Sequence, residues 1–291
     1  MPRRLAILFG LLLFVSPPAK PANDSFEARH EQALAASSSD VHLKISLDSG
    51  QTTFHIGDTV RLKYEFTADS PGKYVAGARY LDCSERSVLE SFVTDRPADA
   101  GDPLREFWEF HSALTGSQLS APRNPTLKLT SSPQYDSFEL THYLRFTKPG
   151  RYRVYVITRS VLAPAAPVKE QGGPPITSEN IVTFQMLTQD PGAAAREVDE
   201  IGARAHQPPS PRFTPVEAFR LFETATPQAR KAAASLYTRR SNYGGSDDIA
   251  LATVLAAPTR AEAIDLLNVR LRDTTFVADE NLILELALLQ I

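Results

Sequence analysis

The amino-acid sequence predicts a chain of two folded parts, an all-β part closed as a two-sheet sandwich and then an all-α part. Three observations carry the prediction. Apolar residues recur with a period of two in segments between Val41 and Leu187, the spacing that turns one face of a strand toward a core. Past Gln189-Asp190-Pro191-Gly192 this pattern gives way to repeated helix-start signals. Finally, 291 residues exceed what one core ordinarily supports, and 42% hydrophobic with 22% charged residues is ordinary globular usage.

The chain opens with Met-Pro-Arg-Arg and runs without charge from Leu5 to Pro18, a basic segment followed by an apolar one. That is the pattern of a secretory signal, too short for a membrane span of about 20 residues. Residues 1–22 are therefore expected to be a signal peptide, residues 23–40 a flexible leader, residues 41–190 the β-sandwich and residues 191–291 the helical part. Losing Arg3, Arg4 and Lys20 lowers the 31 basic residues to 28 against 34 acidic, a net charge of −6. A protein of that charge is poorly suited to nucleic acid, where affinity comes from neutralising phosphates. The expected location is extracytoplasmic, periplasmic or secreted, with no stable membrane anchor. Cys83 is the single cysteine, so no internal disulfide forms, and it reads as a small buried hydrophobe.

Val41, Leu43, Ile45 and Leu47 alternate with His42, Lys44 and Ser46, and Val60, Leu62, Tyr64 and Phe66 repeat the pattern after a turn at His55-Ile56-Gly57-Asp58. The clearest signal runs from Phe138 to Arg159. Phe138, Leu140, His142, Leu144 and Phe146 form one strand, Thr147-Lys148-Pro149-Gly150 turns the chain, and Tyr152, Val154, Val156 and Thr158 form the next. A strand at Ile181–Leu187 follows a proline-rich connection from Ala163 to Pro175. Between Ser91 and Ser132 the period is unclear, with a short aromatic helix expected at Leu104–Leu114 around Trp108.

Leu144 to Val154, read as Leu-Arg-Phe-Thr-Lys-Pro-Gly-Arg-Tyr-Arg-Val, resembles the corner between two late strands of immunoglobulin-like and fibronectin-type domains. The resemblance implies that Tyr152 is the corner tyrosine, its hydroxyl tied back to the backbone. It carries no activity.

Helices are expected at about 193–205, 215–224, 227–240, 246–256, 259–272 and 278–290. Thr214-Pro215-Val216-Glu217 combines a capping box with proline in the first turn, and Thr226-Pro227 and Thr259-Arg260-Ala261-Glu262 repeat the theme. The starts at Thr226 and Thr259, and their partners at Ser246 and Ala278, suggest two stacked pairs similar to HEAT-like repeats. The whole arrangement resembles a group of uncharacterised bacterial secreted proteins. Leucines cover nearly every face of the last helix, so it must be covered by this chain or by a partner.

Chemical motifs are sparse. His30, His42, His55, His111, His142 and His206 include no pair at helical ligand spacing, so neither a metal nor another cofactor is expected. Nucleophile-elbow, dinucleotide and phosphate-loop patterns are absent from the sequence. Asp82, Glu85, Asp99 and Asp102 do not have the spacing of a twelve-residue calcium loop and read as solvated charges. Asn124-Pro125-Thr126 resembles the start of a loop used by immunoglobulin-like inhibitors of cysteine peptidases, and otherwise reads as a turn before a strand at Thr126–Thr130. The connection Ala163–Pro175 is the better binding candidate, because loops between sandwich strands present recognition residues on a rigid scaffold. The expectation is a non-catalytic exported protein that binds or scaffolds a protein partner, with no catalytic residues assigned. A hydrolase with a site between the two parts and an immunoglobulin-like peptidase inhibitor are the rival expectations.

Overall fold

The computed structural model describes residues 25–82, 86–102, 104–105, 121–205, 214–237, 246–272, 282–283 and 286. A helix, α1 (Phe26–Ala35), precedes the strands β1 (Val41–Leu47), β2 (Thr53–His55), β3 (Arg61–Ala68), β4 (Val75–Ala76), β5 (Arg79–Leu81), β6 (Glu90–Thr94) and β7 (Ala100–Gly101). They are followed by β8 (Ala121–Arg123), β9 (Leu127–Lys128), β10 (Gln134–Glu139), β11 (Arg145–Phe146), β12 (Gly150–Thr158), β13 (Ile176–Thr177) and β14 (Val182–Leu187). Helices α2 (Pro191–Ala205), α3 (Pro215–Thr224), α4 (Pro227–Leu236), α5 (Ser246–Leu255) and α6 (Arg260–Leu271) complete the order. A β part is thus followed by a helical part, as the change of period predicts.

The two largest sheets are small. One has the order β1-β3-β10; in the other, β12 pairs with β6, β13 and β14, and β2 runs parallel to β14. Alternation sets the registers. Leu43 faces Phe66 and Ile45 faces Tyr64 across β1 and β3, and Phe138 of β10 faces Leu62. Because a slip of one residue would turn all these side chains to solvent, the buried face fixes the pairing. Val60, Leu62, Val154 and Val156 lie in one core together with Phe66, Tyr152 and Phe184, so the two sheets share an interior. Phe184 stands edge-on to Phe54 and to Phe146, arrangements that add to burial.

The segment from Phe138 to Phe146 is not the single strand that its alternation suggests. β10 ends at Glu139, Leu140–His142 form a 3-10 turn, and β11 pairs with β7 rather than with β12. Leu140 and Thr141 are both buried, which breaks the period of two. The expected strand at Thr126–Thr130 shrinks to β9. The leader is also corrected, since Phe26 and His30, four residues apart on α1, are buried over Tyr155 at ring separations of 5.3 and 4.7 Å. A stripe of two residues in an alanine-rich segment was enough to make a helix where composition suggested mobility.

In the helical part the cap expectations hold. Thr214 and Glu217 form the capping box, and Thr226 Oγ1 accepts from Ala229 N at 3.1 Å. Thr259 Oγ1 likewise accepts from Glu262 N at 3.2 Å. Val198, Ile201, Leu221, Leu236, Leu251 and Leu267 build the core of this part, and Leu282 joins it fully buried. Leu286 packs on the same core while Ile283 faces out, so this chain covers at least part of the expected last helix. The remainder of that helix lies outside the described residues, as do Cys83, Glu85, Trp108, His111 and His206.

Candidate functional site

The connection Ala163–Pro175 leaves the end of β12 and returns as β13. It is an ordered surface loop: Ala166 and Val168 are drawn inward onto a small core of Ala78, Leu89 and Leu162 that is separate from the main one. Pro164 and Ala165 turn the chain, with Ala166 N donating to Ala163 O at 3.1 Å and Ala165 at a φ of 62°. At the far end Gly173 N donates to Arg159 O at 2.8 Å, and Arg159 Nη1 donates back to Gly173 O at 3.2 Å. A side chain at Gly173 would place its Cβ 1.9 Å from Val161 O, so only glycine permits this approach. Pro164, Pro167, Lys169 and Glu170 remain exposed on the anchored frame. A surface held this way loses little conformational freedom when a partner covers it.

A second concentration of chemistry lies where the β part meets the helices. The 3-10 turn presents His142, whose Nε2 is 2.8 Å from Glu139 Oε2 and 3.8 Å from Glu223 Oε1 of α3. Its ring lies flat on Phe219, with centroids 3.8 Å apart and planes 11° apart. The hydrogen bond from His142, reinforced by Arg61, pulls the Glu139 carboxyl down to about 2 against the opposing effect of burial. Burial dominates at Glu223 and pushes its carboxyl upward, although His142 and Arg220 oppose the shift. Arg220 joins three elements, meeting Glu197 of α2 at 2.6 and 2.7 Å, Gly57 O at 3.1 Å, Thr59 Oγ1 at 2.7 Å, and also Glu223. Arg86 steadies the turn from below; it is buried, paired with Asp82 and Asp102, and donates to His142 O at 2.9 Å.

Chemically, a histidine between two carboxylates driven in opposite directions is a set of groups able to move protons. Phe219 covers one face of the ring and the Glu223 side chain is 2% exposed, so the joint must open before a reactant can reach that carboxylate. Sequence reading missed this cluster because Glu223 lies more than 80 positions from Glu139 and His142. The available signal was His142 at an inward place in an apolar alternation.

Sequence-derived candidates elsewhere separate into structural roles. Asp82 and Asp102 neutralise Arg86, and Asp99 pairs with Arg96 at 2.6 Å and Lys148 at 2.9 Å. Among the described residues no group of three or more metal-ligating side chains gathers. His42 and His55 are partly exposed beside carboxylates, whereas His30 is buried with Nε2 2.7 Å from Ser178 O. Asn124 and Thr126 are exposed in the turn between β8 and β9. One further group was not foreseen: Glu90, fully buried, is pushed up to about 7 by desolvation, while hydrogen bonds from Thr158 and Tyr64 oppose the shift.

No helix among the described residues is long and apolar enough to cross a membrane. Comparison with known proteins finds no matching protein-family model and no matching curated protein. Among solved structures, the chain is similar to a family 123 glycoside hydrolase from Clostridium perfringens that acts on glycolipid glycans. Identity is 12%, the TM-score is 0.21, and the match covers 55% of this chain and 32% of that one. The chain thus spans about a third of that hydrolase. That protein is an enzyme, which runs against the expectation of a non-catalytic chain; the expectation rested on missing local motifs and is withdrawn. At this level the likeness assigns no reaction, substrate or catalytic residue.

Proposed function

We propose that the protein is exported and recognises another protein, with an immunoglobulin-like sandwich and a HEAT-like helical array holding the recognition surface. The observation that carries the reading is the loop Ala163–Pro175, ordered on a small core of its own while its prolines and charges stay outside. The sandwich assignment is supported by the shared interior and by Tyr152, whose hydroxyl donates to Lys148 O at 2.7 Å as the corner resemblance implies. Crosslinking in envelope extract tests it. The wild-type chain is expected to capture a stoichiometric partner, and Pro167→Asp to lose at least tenfold of it at an unchanged melting temperature. Equal capture by both proteins rejects the loop as the binding face. Export is tested by N-terminal sequencing of the mature protein, with a start near Asn23 expected.

A second reading, hydrolysis at the joint, is favoured by the opposed carboxylates around His142. Turnover of a chromogenic glycoside panel by the wild-type chain, abolished in Glu223→Gln, would support it. Absence of turnover from pH 5 to 8 would reject it.

A further inference from the structure

We infer that Arg145, where β11 meets α3 and α4, anchors a binding site for a small monocarboxylate anion. The site goes beyond both functional readings and rests on neither. Alternation places the residue. Phe146 turns into the β core, so Arg145 beside it on β11 faces the other way, and its guanidinium carbon lies 5.5 Å from the Phe222 ring of α3. Among the described residues no carboxylate pairs with this guanidinium and no carbonyl accepts from it. An arginine drawn out of water without an acceptor is rare, because nothing returns the hydration it has lost. The aromatic face of Phe222 offsets part of that cost but leaves the in-plane donors unused.

The charge that acts on Arg145 is of its own sign. Arg230 of α4 is buried and already satisfied: its Nε and Nη2 donate to Glu262 Oε1 at 2.9 and 2.7 Å, and its Nη1 donates to Ala225 O at 2.7 Å. Glu262 therefore neutralises Arg230 and leaves Arg145 as one uncompensated positive unit. Burial and the repulsion of Arg230 both press the Arg145 guanidinium below its usual value, yet an arginine stays charged at any ordinary pH. The Arg145 nitrogens, unlike Arg29 Nε, are not sealed in, so a solute can reach the donor fork from solvent. A planar fork that only donates, carrying one unit of charge, is matched by a planar acceptor of one negative charge. A carboxylate is such an acceptor and takes two parallel hydrogen bonds from the fork. A phosphate dianion would bring more charge than is missing here.

Fluorine NMR of 4-fluorobenzoate titrated with the full chain, at pH 7 and constant ionic strength, tests the site. Saturable binding with a dissociation constant in the low millimolar range or tighter is expected, with acetate displacing the probe at lower concentration than inorganic phosphate. Arg145→Gln should weaken binding at least tenfold with its circular dichroism unchanged. Where that variant does not fold, phenylglyoxal modification of the wild type, mapped by mass spectrometry, serves instead: 4-fluorobenzoate should slow modification of Arg145 at least threefold and leave the exposed Arg151 unaffected. Binding that does not saturate overturns the inference. So does equal affinity in folded Arg145→Gln, or equal modification of Arg145 with and without the probe. Tighter competition by phosphate than by acetate overturns the carboxylate assignment.

Discussion

Glu90 sits in the β core with its carboxyl against the hydroxyls of Thr158 and Tyr64, and its value near 7 has a definite consequence for stability. A carboxyl raised from its ordinary 4.5 binds its proton more tightly in the folded state. Its contribution is therefore fully present below about pH 4.5 and lost as pH rises through 7. The shift corresponds to about 3 kcal/mol. Urea unfolding at pH 5 and pH 8 should show this loss in the wild type and not in Glu90→Gln; parallel behaviour of the two proteins would mean that Glu90 is ionised when folded. Ala225 gives a simpler residue-scale test. It caps α3 at a φ of 55°, where a Cβ is strained. Ala225→Gly is expected to raise stability by about 0.5–1 kcal/mol, read from the same denaturation curves.

Elements show why some of this structure could be read from the sequence and some could not. Tyr152 was legible because four residues of turn grammar, Thr147-Lys148-Pro149-Gly150, fix where a following tyrosine must stand. Tyr152→Phe should cost about 1 kcal/mol, the usual net worth of a hydrogen bond, with the fold retained by circular dichroism. Caps were legible for the same reason, being decided within three residues, and Thr226→Ala should lower the melting temperature by an amount equivalent to about 1 kcal/mol. β6 was not legible. Its five residues show no clean alternation, and the Glu90 carboxyl is buried where a strand pattern asks for an apolar side chain. The 3-10 turn escaped because Leu140, His142 and Leu144 happen to continue the alternation across a change of sheet. The His142 site depends on that turn, so it was hidden together with it.

At the scale of the whole molecule, the described residues that join the two parts are side chains far apart in the sequence, Leu104 against Phe219 and Ile249 among them. Arg220 is the principal one, because it satisfies Glu197, Glu223, Gly57 O and Thr59 at once. Arg220→Met would leave Glu223 buried without its arginine, and breaking such a pair typically costs about 3–5 kcal/mol. Calorimetry should then resolve separate transitions for the β and helical parts where the wild type shows one; a single transition in the variant would show that other contacts suffice.

The N-terminal helix α1 makes its ties far along the chain, from His30 to Ser178, from Ala33 O to Thr177, and from Glu27 to Arg153. This helix thus has no native surface to rest on until more than a hundred further residues have been made. Its docking must come late in assembly, and maturation of the β part should end, rather than begin, with the helix that precedes its strands.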